Sequence, residues 1–159
     1  LTPNQEVITM RLPTLPSAVT LVALSLAVGA TQASKLDDAV YYREGVMNIF
    51  SWNTDQMAAM VKGEVAFDRT VFQGLAADLA SAAALNILPG FPEGSTSDDS
   101  DARDEIWLNW SDFESKLQKL RTESAELAKV AKDGDEAAIK AQLDATRRAC
   151  KSCHDDYKQ

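Results

Sequence analysis

The sequence predicts an all-α fold, an antiparallel four-helix bundle, on three observations. From Ser34 onward apolar residues recur at alternating steps of four and three, and no run of strict alternation is long enough to make a strand. Gly63, the Pro- and Gly-rich residues 89–94, and Gly134 cut this pattern into four stretches. Each stretch keeps its apolar residues to one face and its charges to the other, as a helix packed on a shared core does.

In chain order, the first helix opens at Ser34, a capping residue, with Asp37 and Asp38 at its positive end. Its seam reads Leu36, Val40, Arg43, Met47, Phe50, Thr54, Met57 and Val61, and Gly63 can end it in a left-handed cap. Asp68 caps a second helix with Phe72, Leu75, Leu79, Ala82 and Ala83 inside. Its many alanines either let a neighbour approach closely or are there as good helix formers. Residues 88–100 are irregular, and Leu88 and Phe91 at their apolar start can fold over a cofactor's edge. The third helix begins near Ala102 and runs through Ile106, Trp110, Phe113, Leu117, Leu120, Ser124, Leu127 and Ala131. Asp135 caps the fourth, whose inner stripe is Ile139, Leu143, Thr146, Cys150, Cys153 and Tyr157.

At 159 residues the chain suits one domain, and a net charge of −8 gives nucleic acid no footprint. Residues 1–33 are set apart. Met10-Arg11, an apolar run from Ala18 to Ala30 and Thr31-Gln32-Ala33 have the form of a secretory signal cleaved near Ala33, after an upstream extension. The run is about thirteen residues long, short of the roughly 20 that span a membrane, so no stable insertion is expected once the signal is removed. The domain is then 34–159, exported to the periplasm.

The chemistry is concentrated in Cys150-Lys151-Ser152-Cys153-His154. This is a C-x-x-C-H signal for covalent attachment of one haem c: two thiols on one helix face add to the porphyrin vinyl groups, and the next residue offers an imidazole to the iron. Zinc would need four ligands, and the chain holds two Cys and one His. With both thiols on the inner stripe, the haem lies inside the bundle, between the last helix and the first. His154 is the only histidine, so the opposite axial position falls to a methionine, a weaker ligand or nothing. Met47 is the best-placed methionine, as ligand, steric gate or simple packing. Arg43 interrupts the same seam, where its charge needs an anion opposite, a haem propionate or an acidic side chain, or else snorkels to solvent.

These residues resemble the class II c-type cytochromes, the family of cytochrome c'. The resemblance rests on Cys150 to His154 with Asp155-Asp156-Tyr157-Lys158 at the chain end, Tyr42-Arg43-Glu44, and Met60-Val61-Lys62-Gly63. It also draws on Leu88-Pro89, Phe91-Pro92-Glu93-Gly94-Ser95, and Asp101-Ala102-Arg103 with Glu105-Ile106-Trp107. It implies that His154 is the proximal ligand, that Arg43, Glu44 and Asp101 line the haem with Arg43 beside a propionate, and that Met47 faces the distal side. It implies a five-coordinate high-spin iron, electron transfer with unnamed redox partners, binding of nitric oxide and carbon monoxide, and a homodimer. It does not imply an enzyme. Two alternatives are carried forward: a six-coordinate low-spin carrier ligated by Met47, and a haem-free helical interaction protein.

Overall fold

The computed structural model describes residues 18–96 and 100–159, with side chains from residue 35 onward. The predicted upstream extension and the start of the signal, residues 1–17, lie outside the described residues, as do Ser97, Asp98 and Asp99 of the acidic run. Five α-helices follow in order: α1 (Ala18–Lys62), α2 (Arg69–Ala83), the short α3 (Glu105–Leu108), α4 (Trp110–Asp133) and α5 (Glu136–Tyr157), with a 3-10 turn at Leu88–Gly90. The chain divides into two compact units, Leu1–Ser34 and Lys35–Gln159. The second unit is a four-helix bundle of α1, α2, α4 and α5, and α4 packs against both α2 and α5. Among the described residues no helix is long and apolar enough to cross a membrane.

Helix α1 continues through Ser34 without a break, so Ser34 is not the cap expected of it. Val40, Arg43, Phe50, Thr54 and Met57 of the predicted seam are buried, while Leu36, Met47 and Val61 are half-buried. Val46, Asn53 and Ala58 are buried too, because a helix facing two neighbours needs a stripe wider than one seam. Asn53 and Thr54 satisfy their side chains within the helix, donating to the carbonyls of Ile49 and Phe50 at 2.8 Å each. The helix ends at Gly63, whose φ of 75° lets Glu64 N–H turn back to the Ala59 carbonyl at 2.9 Å.

Asp68 caps α2 by accepting from Val71 N–H at 3.1 Å. Ala76, Ala82 and Ala83 face the core with Phe72 and Leu79, so the alanines do serve a close neighbour, α4. From α4, Arg121 donates to the Ala83 and Leu85 carbonyls at 3.1 Å each, filling acceptors that the end of α2 leaves open.

The third helix departs from expectation. Residues 101–103 are not helical: Ala102 forms an isolated antiparallel bridge with Lys158, fixed by Arg103 N–H to the Tyr157 carbonyl at 3.1 Å and Gln159 N–H to the Asp101 carbonyl at 2.8 Å. Helix α3 follows, and Asn109 (φ −127°, ψ 42°) breaks it from α4. Beyond the break Phe113, Leu117, Leu120, Ser124, Leu127 and Ala131 are all buried as predicted. Asp135 caps α5, accepting from Ala138 N–H at 2.8 Å.

Two glycines predict opposite outcomes for one substitution. A Cβ at Gly134 would stand 2.6 Å from the Val130 carbonyl oxygen, whereas at Gly74, inside α2, nothing lies within 4 Å. Gly134→Ala should lose about 1–3 kcal/mol through overpacking. Gly74→Ala should gain about 0.5–1 kcal/mol by restricting the unfolded chain. Urea unfolding of both variants measures this, and equal effects would contradict the packing assigned to Gly134.

Candidate haem site

Helix α5 turns Ile139, Leu143, Thr146, Ala149 and Tyr157 into the core, and carries Cys150 and Cys153 half-buried at its inner edge. Their three-residue spacing sets both thiols on the side facing α1. There the bundle does not close. A cavity of about 470 Å³ is walled by Arg43, Glu44 and Met47 of α1, by Phe91, Ser100, Asp101 and Ala102 of the connection, and by Cys153, His154, Tyr157 and Lys158. An adjoining cavity of about 340 Å³ lies between Phe50 and Thr54, Leu117 and Leu120, and Ala149 and Cys150, with the charged Asp55, Lys116, Arg147 and Lys151 also on its walls. Met47, Ser51, Cys153 and His154 line both. Arg43, Glu44, Met47, Asp101, Cys150, Cys153 and His154, scattered along the sequence, thus meet on the walls of one opening.

Arg43 takes neither of the two ordinary routes open to a seam arginine. It does not reach solvent, being 3% exposed, and among the described residues it pairs with no carboxylate. Instead it donates to the Gly90 carbonyl at 2.9 Å, to Ser95 Oγ at 2.6 Å, to the Ser95 carbonyl at 2.5 Å and to Ser100 Oγ. Its guanidinium also lies 5.0 Å from the centre of the Phe91 ring. Burial pulls its pKa below the usual arginine value, with Glu44 pulling the other way. The connection comes this close because Gly90 has no side chain: a Cβ there would meet Tyr42 at 2.9 Å and Arg43 at 3.1 Å. The sequence reading gave no side-chain role to Ser95 or to Ser100, of which Ser100 lines the cavity. A serine in a polar loop carries no signal of burial.

Burial pushes both thiols up, Cys153 to about 11 even though Lys116 pulls it down. The imidazole of His154 moves the other way, lowered first by burial and then by Lys158, which favours the neutral ring able to offer a nitrogen lone pair. Lys158 is held by Asp101 at 2.7 Å, and its N–H extends α5 by bonding the His154 carbonyl at 3.1 Å. Asp101 is therefore on the cavity wall with its carboxylate already engaged. On the outer side Lys116 reaches Asp156 at 2.8 Å and Ser152 Oγ at 3.0 Å, fastening the cysteine-bearing turn to α4.

Among the described residues, no three His, Cys, Asp or Glu side chains converge as a metal-binding group. A family model for cytochrome c' matches residues 38–158. The chain belongs to the cytochrome c' family. It is 34% identical over 128 residues to cytochrome c' of Halomonas halodenitrificans, a match spanning 77% of this chain and 96% of the relative. Its structure is similar to that of cytochrome c' from Shewanella frigidimarina, with a TM-score of 0.75, 35% identity, and coverage of 78% of this chain and 96% of the other. A leucine-to-alanine variant of cytochrome c' from Alcaligenes xylosoxidans, solved as a nitric oxide complex, gives a TM-score of 0.70 at 28% identity, covering 78% and 95%.

Members of the family bind one haem c covalently, which removes the haem-free reading. The walls fit such a group. They offer two thiols for its vinyl edge, an imidazole beside them, apolar side chains at Phe50, Leu117 and Leu120 for its plane, and a buried cation at Arg43 for its carboxylates.

Tyr157 lines the larger cavity, edge-on to Phe113 at 5.4 Å, and donates its hydroxyl to Asp112 Oδ2 at 2.7 Å. Burial, then this bond to a carboxylate, raises its pKa above the ordinary tyrosine value of 10.0. A raised folded-state pKa means that the stabilisation is complete below about pH 10 and is lost as pH rises through the folded value. Tyr157→Phe should cost about 1.5–3 kcal/mol at pH 7. The gap to wild type should narrow in strongly alkaline solution. Denaturant melts across pH test this, and a gap that widens with pH would contradict it.

Proposed function

We propose that the protein is a periplasmic haem c protein of open coordination, acting in electron transfer, in binding of nitric oxide and similar diatomic gases, or in both. In this reading Cys150 and Cys153 form the thioether links and His154 is the proximal ligand. Met47 stands on the distal side as a steric gate. The observation that carries the reading is that Met47 and His154, more than a hundred residues apart in sequence, line the same two adjoining cavities as Cys153. The haem, when bound, supplies a one-electron couple and a coordination position for a small ligand.

The chain's own residues do the rest. Partial desolvation and then Lys158 lower the pKa of His154 and so favour the neutral ring that an axial ligand requires. Phe50, Leu117 and Leu120 give the adjoining cavity an apolar inner wall suited to small neutral ligands, while Asp55, Lys116, Arg147 and Lys151 also line it. Met47 is half-buried, at a place where a bulkier or smaller side chain would alter which ligands pass. The nitric oxide complex of the Alcaligenes xylosoxidans relative supports gas binding at such a site. Secretion rests on the signal-like residues 1–33, and a homodimer on the resemblance to the family.

The same placement of Met47 favours one second reading, in which its sulfur ligates the iron and leaves plain electron transfer. Visible spectra separate the two. The open-site reading expects high-spin bands in ferric and ferrous wild type, and Met47→Leu should leave them high-spin. Low-spin bands that the substitution converts to high-spin would establish the methionine-ligated carrier instead. Titrating the ferrous protein with nitric oxide should shift the Soret band to a saturable end point, and an unchanged spectrum would rule out gas binding.

A further inference from the structure

We propose that Ser100 is a cofactor-binding residue whose hydroxyl donates to a haem propionate beside Arg43. The proposal deepens the haem-site reading and rests on it. Ser100 is 7% exposed and stands on the wall of the larger cavity. Its oxygen accepts twice, from Arg43 Nη2 and from Ala102 N–H at 3.2 Å. A serine hydroxyl has two acceptor sites and one O–H donor. With both acceptor sites taken by the guanidinium and the main chain, the hydrogen is left to the remaining tetrahedral position. No acceptor for it occurs among the described residues.

The same corner of the cavity holds a buried cation. Arg43 has five N–H donors. Four of its bonds run to Gly90, Ser95 and Ser100, and the Nε–H has no acceptor among the described residues. A desolvated cation with two unspent donors nearby selects an anion that accepts from both, as a carboxylate does. The propionate is the carboxylate that the haem brings to this cavity. Among the described residues the other charged groups on that wall are Glu44 of α1, Asp101 of the connection, and Lys158 and the titratable His154 at the end of α5. Asp101 is held by Lys158 at 2.7 Å, so its repulsion toward a second carboxylate is offset.

Ser95 supplies the internal contrast. It is 1% exposed and accepts from Arg43 at 2.6 Å, yet it is absent from the cavity wall. Removing either hydroxyl takes one bond from Arg43, but of the two only Ser100 lines the cavity.

The test is the propionate-bending band in the resonance Raman spectrum of the haem-loaded full-length protein. Ser100→Ala should shift this band to lower frequency, Ser95→Ala should leave it in place, and Ser100→Thr should restore it. If Ser100→Ala does not retain haem, Ser100→Cys, a weaker donor of similar size, should give the same downshift. A band unmoved by the Ser100 substitutions, or moved equally by Ser95→Ala, would overturn the proposal and reduce Ser100 to loop packing. A wild-type protein with no Soret band would instead overturn the haem reading, and this proposal with it.

Discussion

A guanidinium buried in an otherwise apolar helix seam has to be compensated, and most of the site's architecture follows from how Arg43 is compensated. It draws Gly90, Ser95 and Ser100 of the connection onto α1 and holds them by bonds to two serines and a glycine carbonyl. That contact requires Gly90 to lie almost against the helix, and it lays Phe91 under the guanidinium. Phe91 then packs on Phe113 of α4 at 4.8 Å, and its carbonyl accepts from Trp107 Nε1 at 3.0 Å. From Ser100 the chain passes directly into the bridge with the C-terminal residues, which sets Asp101 on Lys158. One side chain thus links the first helix, the connection and the end of the last helix around a single opening.

The helical part of this arrangement was legible in the sequence because it is written in local terms. Periods of four and three, two aspartate caps and Gly63 each act within a turn or so of chain, and the structure keeps them. What was not legible depends on distant partners. The extended residues 101–103 have good helix formers after them, but their main chain is claimed by the C-terminus. Val46, Ala58 and Ala149 lie beside the predicted seams and are buried only because each helix meets more than one neighbour. The cysteines, His154, Met47 and Arg43 could be singled out by residue type and period. Ser95 and Ser100 could not, since their importance comes from a guanidinium some fifty residues upstream.

The electrostatics around α5 separate two tasks. Desolvation raises the pKa of the two thiols and lowers that of the imidazole, which favours the uncharged form of all three beside a largely apolar group. The charges are kept at the outer edges, Lys116 with Asp112 and Asp156 on one side and Lys158 with Asp101 on the other. Arg43 is the exception, a cation kept inside on the wall of the larger cavity. Family membership names the cofactor, and the arrangement of α1 against α5 determines what remains of its coordination sphere.

The central claim is that this sphere is filled from the α5 side by His154 and left open on the side of Met47. X-ray absorption fine structure at the iron edge of the ferrous protein reads it directly. The account predicts a first shell of pyrrole nitrogens and one imidazole nitrogen, with no sulfur. A sulfur scatterer at bonding distance would contradict it and make Met47 a ligand.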